Sequence, residues 1–375
     1  MAAGTSRRTR TLRRRLAGKR VLICVGSGGV GKTTTSAALA LGLALDGKRV
    51  AVVTIDPARR LASALGLRTL SGEPRRIDSA PLADAGIEMR GELWAMMLDA
   101  KRTFDDIVAR LARDDDEREE ILANPVYREL STAVAGSHEL SAIAKLHELY
   151  EEHDFDVIVL DTPPSRNALD FLDSPTRLLA FLDGRALQVF LAPGGLTARL
   201  FGRGTALVFS IFARVTGVDM LGELSRFFRS LSGVIDGFRE RTQGVAELLR
   251  APETSFLVVT SPEPEPAGEA EYLLARLTEA GMPTGALVVN RVHSDSLDGH
   301  SRDGVATLLA PELGEELAAR VARNLSDFDV LAQRDAATVA RLAAAAGTRP
   351  VAVPYLDGEV QDLLGLARLA EHLLD

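Results

Sequence analysis

Gly26-Ser27-Gly28-Gly29-Val30-Gly31-Lys32-Thr33 matches the complete pattern G-x-x-x-x-G-K-[ST] of a phosphate-binding loop. The apolar run Val21–Val25 before it predicts a short buried strand. The Ala/Leu-rich segment Thr33–Asp46 after it predicts a helix that ends at Gly47. A loop of this kind between a strand and a helix is the context that the motif requires, which disfavours a glycine-rich turn without a ligand.

The loop predicts a cradle for the phosphates of ATP. Its glycines let consecutive backbone N–H groups point inward, and the helix N-terminus adds a favourable field for an anion. We expect Lys32 to neutralise the β- and γ-phosphates as a catalytic residue, and Thr33 to ligate Mg²⁺. The residues predicted to bind the nucleotide here are Gly28, Gly29, Val30, Gly31, Lys32, Thr33 and Thr34.

Two acids at the ends of predicted strands complete the predicted site. Asp161 follows the apolar run Val157–Leu160, and Asp56 follows Arg49–Ile55. Strand ends of a parallel sheet meet at one edge, where such folds bind their ligands. Both acids are therefore predicted to be catalytic and, with Thr33, to hold Mg²⁺ directly or through water. The alternative is that Asp-Pro and Asp-Thr-Pro-Pro only initiate turns.

The order strand, loop, helix, strand predicts a βαβ unit. We therefore expect an α/β fold with a doubly wound, mostly parallel sheet of the P-loop NTPase type. It should form one domain over residues 20–375, with a helical insertion at about 196–250. Further strands are predicted at Glu92–Leu98, Phe155–Leu160, Ala186–Leu191, Ser255–Thr260, Ala286–Asn290 and Arg349–Val353, with a closing helix at Glu359–Leu374.

The N-terminal segment has an unusual charge. The first 20 residues carry eight basic side chains and no acidic one, although the whole chain has a net charge of −8. We expect residues 1–19 to form a basic, disordered arm, which is favoured over one that binds nucleic acid or anionic lipid. No apolar run reaches the roughly 18 residues that span a bilayer, so a cytoplasmic protein, possibly peripheral to the membrane, is expected.

Three segments together resemble the ArsA family of ATPases. They are the phosphate loop, Thr54-Ile55-Asp56-Pro57-Ala58, and Asp161-Thr162-Pro163-Pro164-Ser165-Arg166-Asn167. The family includes the arsenite-pump ATPase and the guided-entry ATPase for tail-anchored membrane proteins. The resemblance implies that the second and third segments are switches sensitive to the γ-phosphate. It also implies that Asn290 reads the adenine edge and that Pro354 begins a loop that closes over the base.

Departures from the family pattern are as informative as the matches. Ser27 stands where the family has a signature lysine that reaches across a dimer interface. Arg59 replaces a histidine, and Arg166-Asn167 replaces Gly-His; these arginines either substitute for the missing cation or pair with local acids. Cys24 is the only cysteine, which disfavours the three-cysteine metalloid site of the arsenite pump.

The resemblance implies a nucleotide-gated dimer that drives or gates a partner. The missing lysine favours a heterodimer with a paralogue that retains it over a homodimer, as does a resemblance to paired ATPases of actinobacteria. The Phe-rich insertion either binds a hydrophobic client helix of a membrane protein or only packs its own apolar faces. The alternatives are an ATP-sensing scaffold with little turnover and a partitioning-type ATPase on DNA, of which the DNA contact is disfavoured.

Overall fold

The structure is a computed structural model that describes residues 11–56, 60–125, 127–128, 138–163, 232–295, 297, 299–356 and 360–374. The strands are β1 (Val21–Val25), β2 (Arg49–Thr54), β3 (Arg75–Arg76), β4 (Glu92–Met97), β5 (Val157–Asp161), β6 (Thr254–Thr260), β7 (Thr284–Val292) and β8 (Val351–Pro354). The helices are α1 (Leu12–Arg15), α2 (Lys32–Leu45), α3 (Arg60–Ala64), α4 (Ala80–Asp84), α5 (Ala100–Leu111), α6 (Asp115–Ala123), α7 (His138–Glu152), α8 (Ser232–Arg250), α9 (Pro264–Glu279), α10 (Arg302–Leu313), α11 (Glu315–Ala346) and α12 (Leu363–Leu374).

The eight strands form one sheet in the order β3-β4-β2-β5-β1-β6-β7-β8. All neighbouring pairs are parallel except β3 with β4. The central strands β1, β5 and β6 are buried along their whole length because helices cover a parallel sheet on both faces. The predicted α/β, doubly wound, mostly parallel sheet is thus confirmed, and β1 brings the phosphate loop to its middle.

Helix α2 lies in the core and fixes the direction of the phosphate loop. It packs against α12 and β2, and its residues from Thr35 to Ala44 are buried. The approach to α12 is close at Gly42, where a Cβ atom would lie 2.5 Å from Leu374 Cδ1. The C-terminal helix therefore holds the phosphate-binding helix against the sheet.

Most predicted elements are observed, with shifted ends. Strands β4, β5, β6, β7 and β8 match the predicted ones, and the closing helix begins at Leu363 rather than Glu359. The short edge strand β3 was not predicted, because two residues carry no periodic pattern. The predicted strand Ala186–Leu191 and most of the predicted insertion lie outside the described residues, as do Arg59 and Arg166-Asn167.

The structure differs from the prediction of a disordered arm over residues 11–19. Helix α1 lies in this segment, and Leu12 and Leu16 are each only 2% exposed. These two residues are four positions apart, so they share one helix face and pack into the core. Arg13 Nη1 also contacts Asp46 Oδ1 at 2.8 Å. The many basic residues of this segment obscured the apolar pair, so the sequence did not predict the helix. Residues 1–10 lie outside the described residues.

The chain divides into two compact units. The first contains residues 1–97, 154–168 and 250–375 and carries the sheet; the second contains residues 98–153 and 169–249 and is helical where described. Within the second unit Lys145 Nζ contacts Glu148 Oε1 at 2.6 Å, and Arg110 also pairs with Glu148. Among the described helices, none is long and apolar enough to cross a membrane.

Candidate functional site

The phosphate loop is shaped by glycines at two points of close approach. A Cβ atom on Gly26 would lie 2.0 Å from the Val259 carbonyl oxygen on β6. Gly31, the N-cap of α2, has φ 93°, and its Cβ would lie 2.3 Å from Asn290 Nδ2. Side chains at either position would therefore displace the loop from its neighbouring strands. Gly28 and Gly29 of the loop are exposed, and Thr33 and Thr34 in the first turn of α2 are half-buried.

Lys32 is a buried cation inside the loop. Its side-chain nitrogen donates to the carbonyl oxygens of Gly26 (2.8 Å) and Ser27 (2.6 Å). Burial lowers the pKa of Lys32; the negative charge of Asp161 opposes this shift, while the nearby Arg60 adds to it. The carbonyl oxygens of the loop thus bind the Lys32 ammonium group. Anionic phosphate oxygens would be stronger hydrogen-bond partners for this ammonium group than the carbonyls are.

Asp161, the last residue of β5, is fully buried. Its Oδ2 accepts a hydrogen bond from Thr54 Oγ1 at 2.8 Å, whereas Oδ1 is buried with no hydrogen-bond partner among the described residues. Burial raises the pKa of Asp161 to about 6, although the hydroxyls of Thr33 and Thr54 and the charge of Lys32 oppose the shift. A buried carboxylate oxygen without a partner is costly, which indicates that a ligand completes its surroundings.

Asp56 lies two residues beyond β2 and is tied to the same threonine. Its backbone N–H donates to Thr54 Oγ1 (3.2 Å), so one hydroxyl connects both predicted acids. Its Oδ2 lies 3.4 Å from Arg60 Nη1 at the start of α3. The structure therefore brings together Lys32, Asp56 and Asp161, as the positions of the strand ends predict.

The oxygen ligands at this edge fit Mg²⁺. No cluster of three or more metal-ligating His, Cys, Asp or Glu residues occurs in the described part of the chain. Mg²⁺ does not need such a cluster, because it keeps several waters and uses one or two carboxylates together with phosphate oxygens. The buried Oδ1 of Asp161, the Asp56 carboxylate and the Thr33 hydroxyl are oxygen donors of this kind.

A cavity of about 820 Å³ adjoins the helix end of the loop. Four predicted residues line it: Gly31, Thr34, Asn290 and Pro354. Asn290 Nδ2 donates to the Val30 carbonyl oxygen at 2.9 Å. The other polar atom of this side chain, the amide oxygen Oδ1, is a hydrogen-bond acceptor. The volume lies in the usual range of small-molecule sites. The polar loop and the neighbouring cavity together form one candidate nucleotide site.

Four residues of the site were not found from the sequence. Arg60 lines the cavity, and the only available signal was its i, i+4 spacing from Asp56. Thr54 was noted only as part of a motif. Tyr355 is 64% exposed at the cavity, and its ring stacks on His293 at 5.7 Å between centroids. The fourth is Glu269 on α9, which accepts a hydrogen bond from Ser27 Oγ over 242 positions of sequence.

Comparison of the sequence with known proteins identifies a family and several similar chains. A sequence model of the family described as Anion-transporting ATPase (ArsA_ATPase) matches residues 19–303. The chain is 27% identical over 279 residues to "ATPase GET3" of Malassezia globosa, covering 72% of each chain. It is 29% identical over 268 residues to "ATPase get3" of Aspergillus terreus, covering 71% of each. It is 28% identical to "Putative arsenical pump-driving ATPase 1" of Aquifex aeolicus, covering 73% of this chain and 63% of that one.

Proposed function

The chain belongs to the ArsA family of anion-transporting ATPases, and we propose that it binds and hydrolyses MgATP to drive or gate a partner protein. The family is one of ATPases, as the names of the similar proteins also state. The observation that carries the proposal is the arrangement around Thr54. The Thr54 hydroxyl contacts the Asp161 carboxylate and the Asp56 backbone N–H. Both contacts lie at the sheet edge where the phosphate loop leads into α2.

Each residue of this site would bind one part of the ligand: the phosphates, Mg²⁺ or the base. The loop N–H groups and Lys32 would hold the phosphates, and Thr33, Asp161 and Asp56 would hold Mg²⁺. The chemistry that Mg²⁺ would supply at these residues is partial neutralisation of the charge that develops on the transferred phosphoryl group. Asn290 and Pro354 would border the base, since both line the cavity next to Gly31. Nucleotide recognition then extends from β1 to β8 across one half of the sheet.

Hydrolysis also needs a positioned water molecule. Its oxygen forms a bond to the γ-phosphorus while the bond from that phosphorus to the β–γ bridging oxygen breaks, which releases ADP and inorganic phosphate. Asp56 would orient this water, and Arg60 would hold the Asp56 carboxylate in place through their contact at 3.4 Å. Lys32 would leave the carbonyls of Gly26 and Ser27 to neutralise the β- and γ-phosphates.

The proposed function includes a second subunit and a partner protein that is driven or gated. Nucleotide-dependent closure of a dimer is supported by the family resemblance, and Ser27 favours a second subunit that retains the signature lysine. The driven partner would be a membrane protein in targeting or transport, reached from the cytoplasm. The name of the Aquifex relative, which describes a pump-driving ATPase, supports this class. Arsenite itself is a poor candidate because Cys24 is buried and is the only cysteine of the chain.

Single-turnover hydrolysis with excess protein over radiolabelled MgATP tests the proposal. Wild type should form ADP, and Asp56→Asn should bind ATP but lower the rate by about 100-fold or more. Asp78→Asn, an exposed carboxylate in the same unit, is the matched control and should leave the rate unchanged. ATP binding without ADP formation, both alone and with a lysine-bearing paralogue, would indicate an ATP-sensing scaffold instead.

A further inference from the structure

Tyr355 presents an aromatic ring at the cavity beside the phosphate loop. It follows β8 directly, is 64% exposed and lines the cavity together with Gly31 and Asn290. An exposed tyrosine ring is a large, flat and mostly apolar surface, and burying it under a ligand is favourable. The cavity therefore offers a flat ligand an aromatic surface next to the loop.

The Tyr355 ring stacks on the imidazole ring of His293. The two rings are nearly parallel, with 15° between their planes and 5.7 Å between their centroids. Their proximity follows from the strand register, because the β7–β8 ladder has one extra residue on β7 and pairs Val292 with Pro354. The Tyr355 backbone N–H also donates to the Val292 carbonyl oxygen at 3.0 Å. A β-bulge in β7 thus places His293 next to Tyr355.

A buried carboxylate fixes His293 in turn. Asp335 of α11 is fully buried, and its Oδ2 accepts from the His293 backbone N–H at 3.0 Å and from Nδ1 at 2.7 Å. Because a carboxylate oxygen is the acceptor, Nδ1 carries the hydrogen and the imidazole ring is held in one orientation. The Tyr355 ring therefore rests on a support that begins at α11. A ring that is held before a ligand arrives loses little freedom on binding.

We propose that Tyr355 is a stacking platform for the base of the nucleotide and that His293 is the residue that positions it. The inference rests on the proposed function and adds the surface that binds the base. Every base can stack on an aromatic ring, so Tyr355 would supply affinity, whereas Asn290 would supply the preference for adenine. Tyr355 and Asp335 lie beyond residues 19–303, which the family model matches, so membership of the family does not by itself imply this arrangement.

Two substitutions of Tyr355 separate the ring from the rest of the side chain. Tyr355→Leu removes the ring and keeps an apolar side chain, whereas Tyr355→Phe keeps the ring. Tyr272→Leu is the matched control, since Tyr272 is a 59% exposed tyrosine of α9 that is not among the residues lining the cavity. Calorimetric titration gives two Kd values for each protein, one for MgATP and one for magnesium tripolyphosphate, which has the phosphates without the base.

The loss of affinity should be confined to the ligand that has a base. Tyr355→Leu should weaken binding of MgATP about 5- to 20-fold, because the stacking of one base on an aromatic ring contributes factors of this size. The same variant should change the Kd for tripolyphosphate by less than about 1.5-fold, since the phosphate loop is intact. Tyr355→Phe and Tyr272→Leu should bind both ligands as wild type does.

His293→Ala tests the positioning role. The backbone N–H that donates to Asp335 remains in this variant, so the buried carboxylate keeps a partner. The substitution should weaken binding of MgATP about 2- to 5-fold in the wild-type background, and less than about 1.3-fold when Tyr355→Leu is already present. A histidine that only stabilises the fold would weaken binding by the same factor in both backgrounds, and that result would overturn the positioning role.

Tripolyphosphate binding depends on the loop alone, so failure of the platform and failure of the proposed function are distinguishable. Equal weakening of both ligands by Tyr355→Leu, or no weakening of either, would overturn the platform and leave the proposed function standing. Wild type that binds ATP no more tightly than tripolyphosphate, or that binds neither, would also overturn the platform. Absence of hydrolysis by wild type, with MgATP binding that still depends on the Tyr355 ring, would overturn the proposed function and support the platform.

Discussion

Asn290 is hydrogen-bonded to the backbone of Val30, with 2.9 Å between Nδ2 and the carbonyl oxygen, although 260 positions of sequence separate the two residues. The bond fastens β7 to the phosphate loop. It also explains why position 31 is glycine, since a Cβ there would collide with the same amide nitrogen. The cavity next to the loop and the loop itself are therefore parts of one candidate nucleotide site.

Asn290→Ala is expected to weaken ATP binding about 5- to 10-fold. The variant loses a hydrogen bond that stabilises the loop, a net contribution of about 1 kcal/mol, and the side chain proposed to accept from the adenine amino group. The preference for ATP over GTP should fall at the same time. Fluorescent-nucleotide titration measures both, with Asn324→Ala on the exposed side of α11 as control. Unchanged affinity and preference would show that the site for the base lies elsewhere.

Asp161→Asn should stabilise the nucleotide-free protein at about pH 7.5. Burial raises the pKa of Asp161 from 3.8 to about 6, so the ionised carboxylate opposes folding above that pH. Its removal should raise the free energy of unfolding by on the order of 1–3 kcal/mol. Because the folded pKa is the higher one, the stability that wild type gains from the protonated acid is lost as pH rises from about 4 to 6.

Urea unfolding across this pH range measures the effect. The difference between Asp161→Asn and wild type should be small near pH 4 and reach its full value above about pH 6. With Mg²⁺ and nucleotide present, the order should reverse, since only wild type can gain stability from the bound metal. A variant that is less stable than wild type at neutral pH without nucleotide would mean that the carboxylate is structural.

Arg60→Ala should affect binding and leave stability unchanged. The Arg60 side chain is 58% exposed, and an exposed ion pair contributes at most about 1 kcal/mol to folding. The cavity, however, loses a cation, so the Kd for ATP should rise about 3- to 10-fold. Arg68→Ala, an exposed arginine just beyond α3, is the control for net charge. Calorimetric titration that gives equal Kd values for the Arg60 variant and wild type would remove Arg60 from the site.

Arsenite should not stimulate hydrolysis. Burial raises the pKa of Cys24 to about 12, so the thiolate that a metalloid or a thiol reagent needs is not formed at neutral pH. Native protein should resist a chromogenic disulfide reagent, and unfolded protein should react at its single thiol. Arsenite at about 1 mM should change the ATPase rate by less than about 1.2-fold, because one buried cysteine cannot form a thiolate cluster. A clear stimulation would contradict this.

What the sequence predicts well is local in the chain. The phosphate loop, the preceding strand and α2 are contiguous, and their pattern predicts the strand, the loop and the helix that the structure has. The place of β1 in the middle of the sheet was not predicted. Asp56 and Asp161 were predicted at one edge because parallel strands end there. The hydroxyl of Thr54 that connects them was not predicted, since the pairing of β2 with β5 does not follow from either segment alone.

The residues that sequence reasoning missed are of two kinds. Some contact residues that are far away in the sequence, and others lie in a segment whose composition indicates a different structure. Glu269 meets Ser27 across 242 positions, and no periodicity in α9 distinguishes it from its acidic neighbours. Leu12 and Leu16 were obscured by the surrounding arginines, although they are four residues apart and buried. The roles given to Asn290 and Pro354 came from family resemblance; the structure brings both to one cavity, and their binding of adenine stays a prediction.

We propose that the loop from Gly26 to Thr34 binds MgATP through Lys32, and calorimetric titration of ATP with and without Mg²⁺ measures this binding. Wild type should bind about one ATP per chain with Mg²⁺. Lys32→Ala should bind at least about 10-fold more weakly, because a buried cation that meets the phosphates is lost. Lys101→Ala, an exposed lysine of α5, should bind as wild type does. Equal affinities for wild type and Lys32→Ala, or no binding of ATP by wild type with Mg²⁺, would show that the loop does not bind MgATP through Lys32.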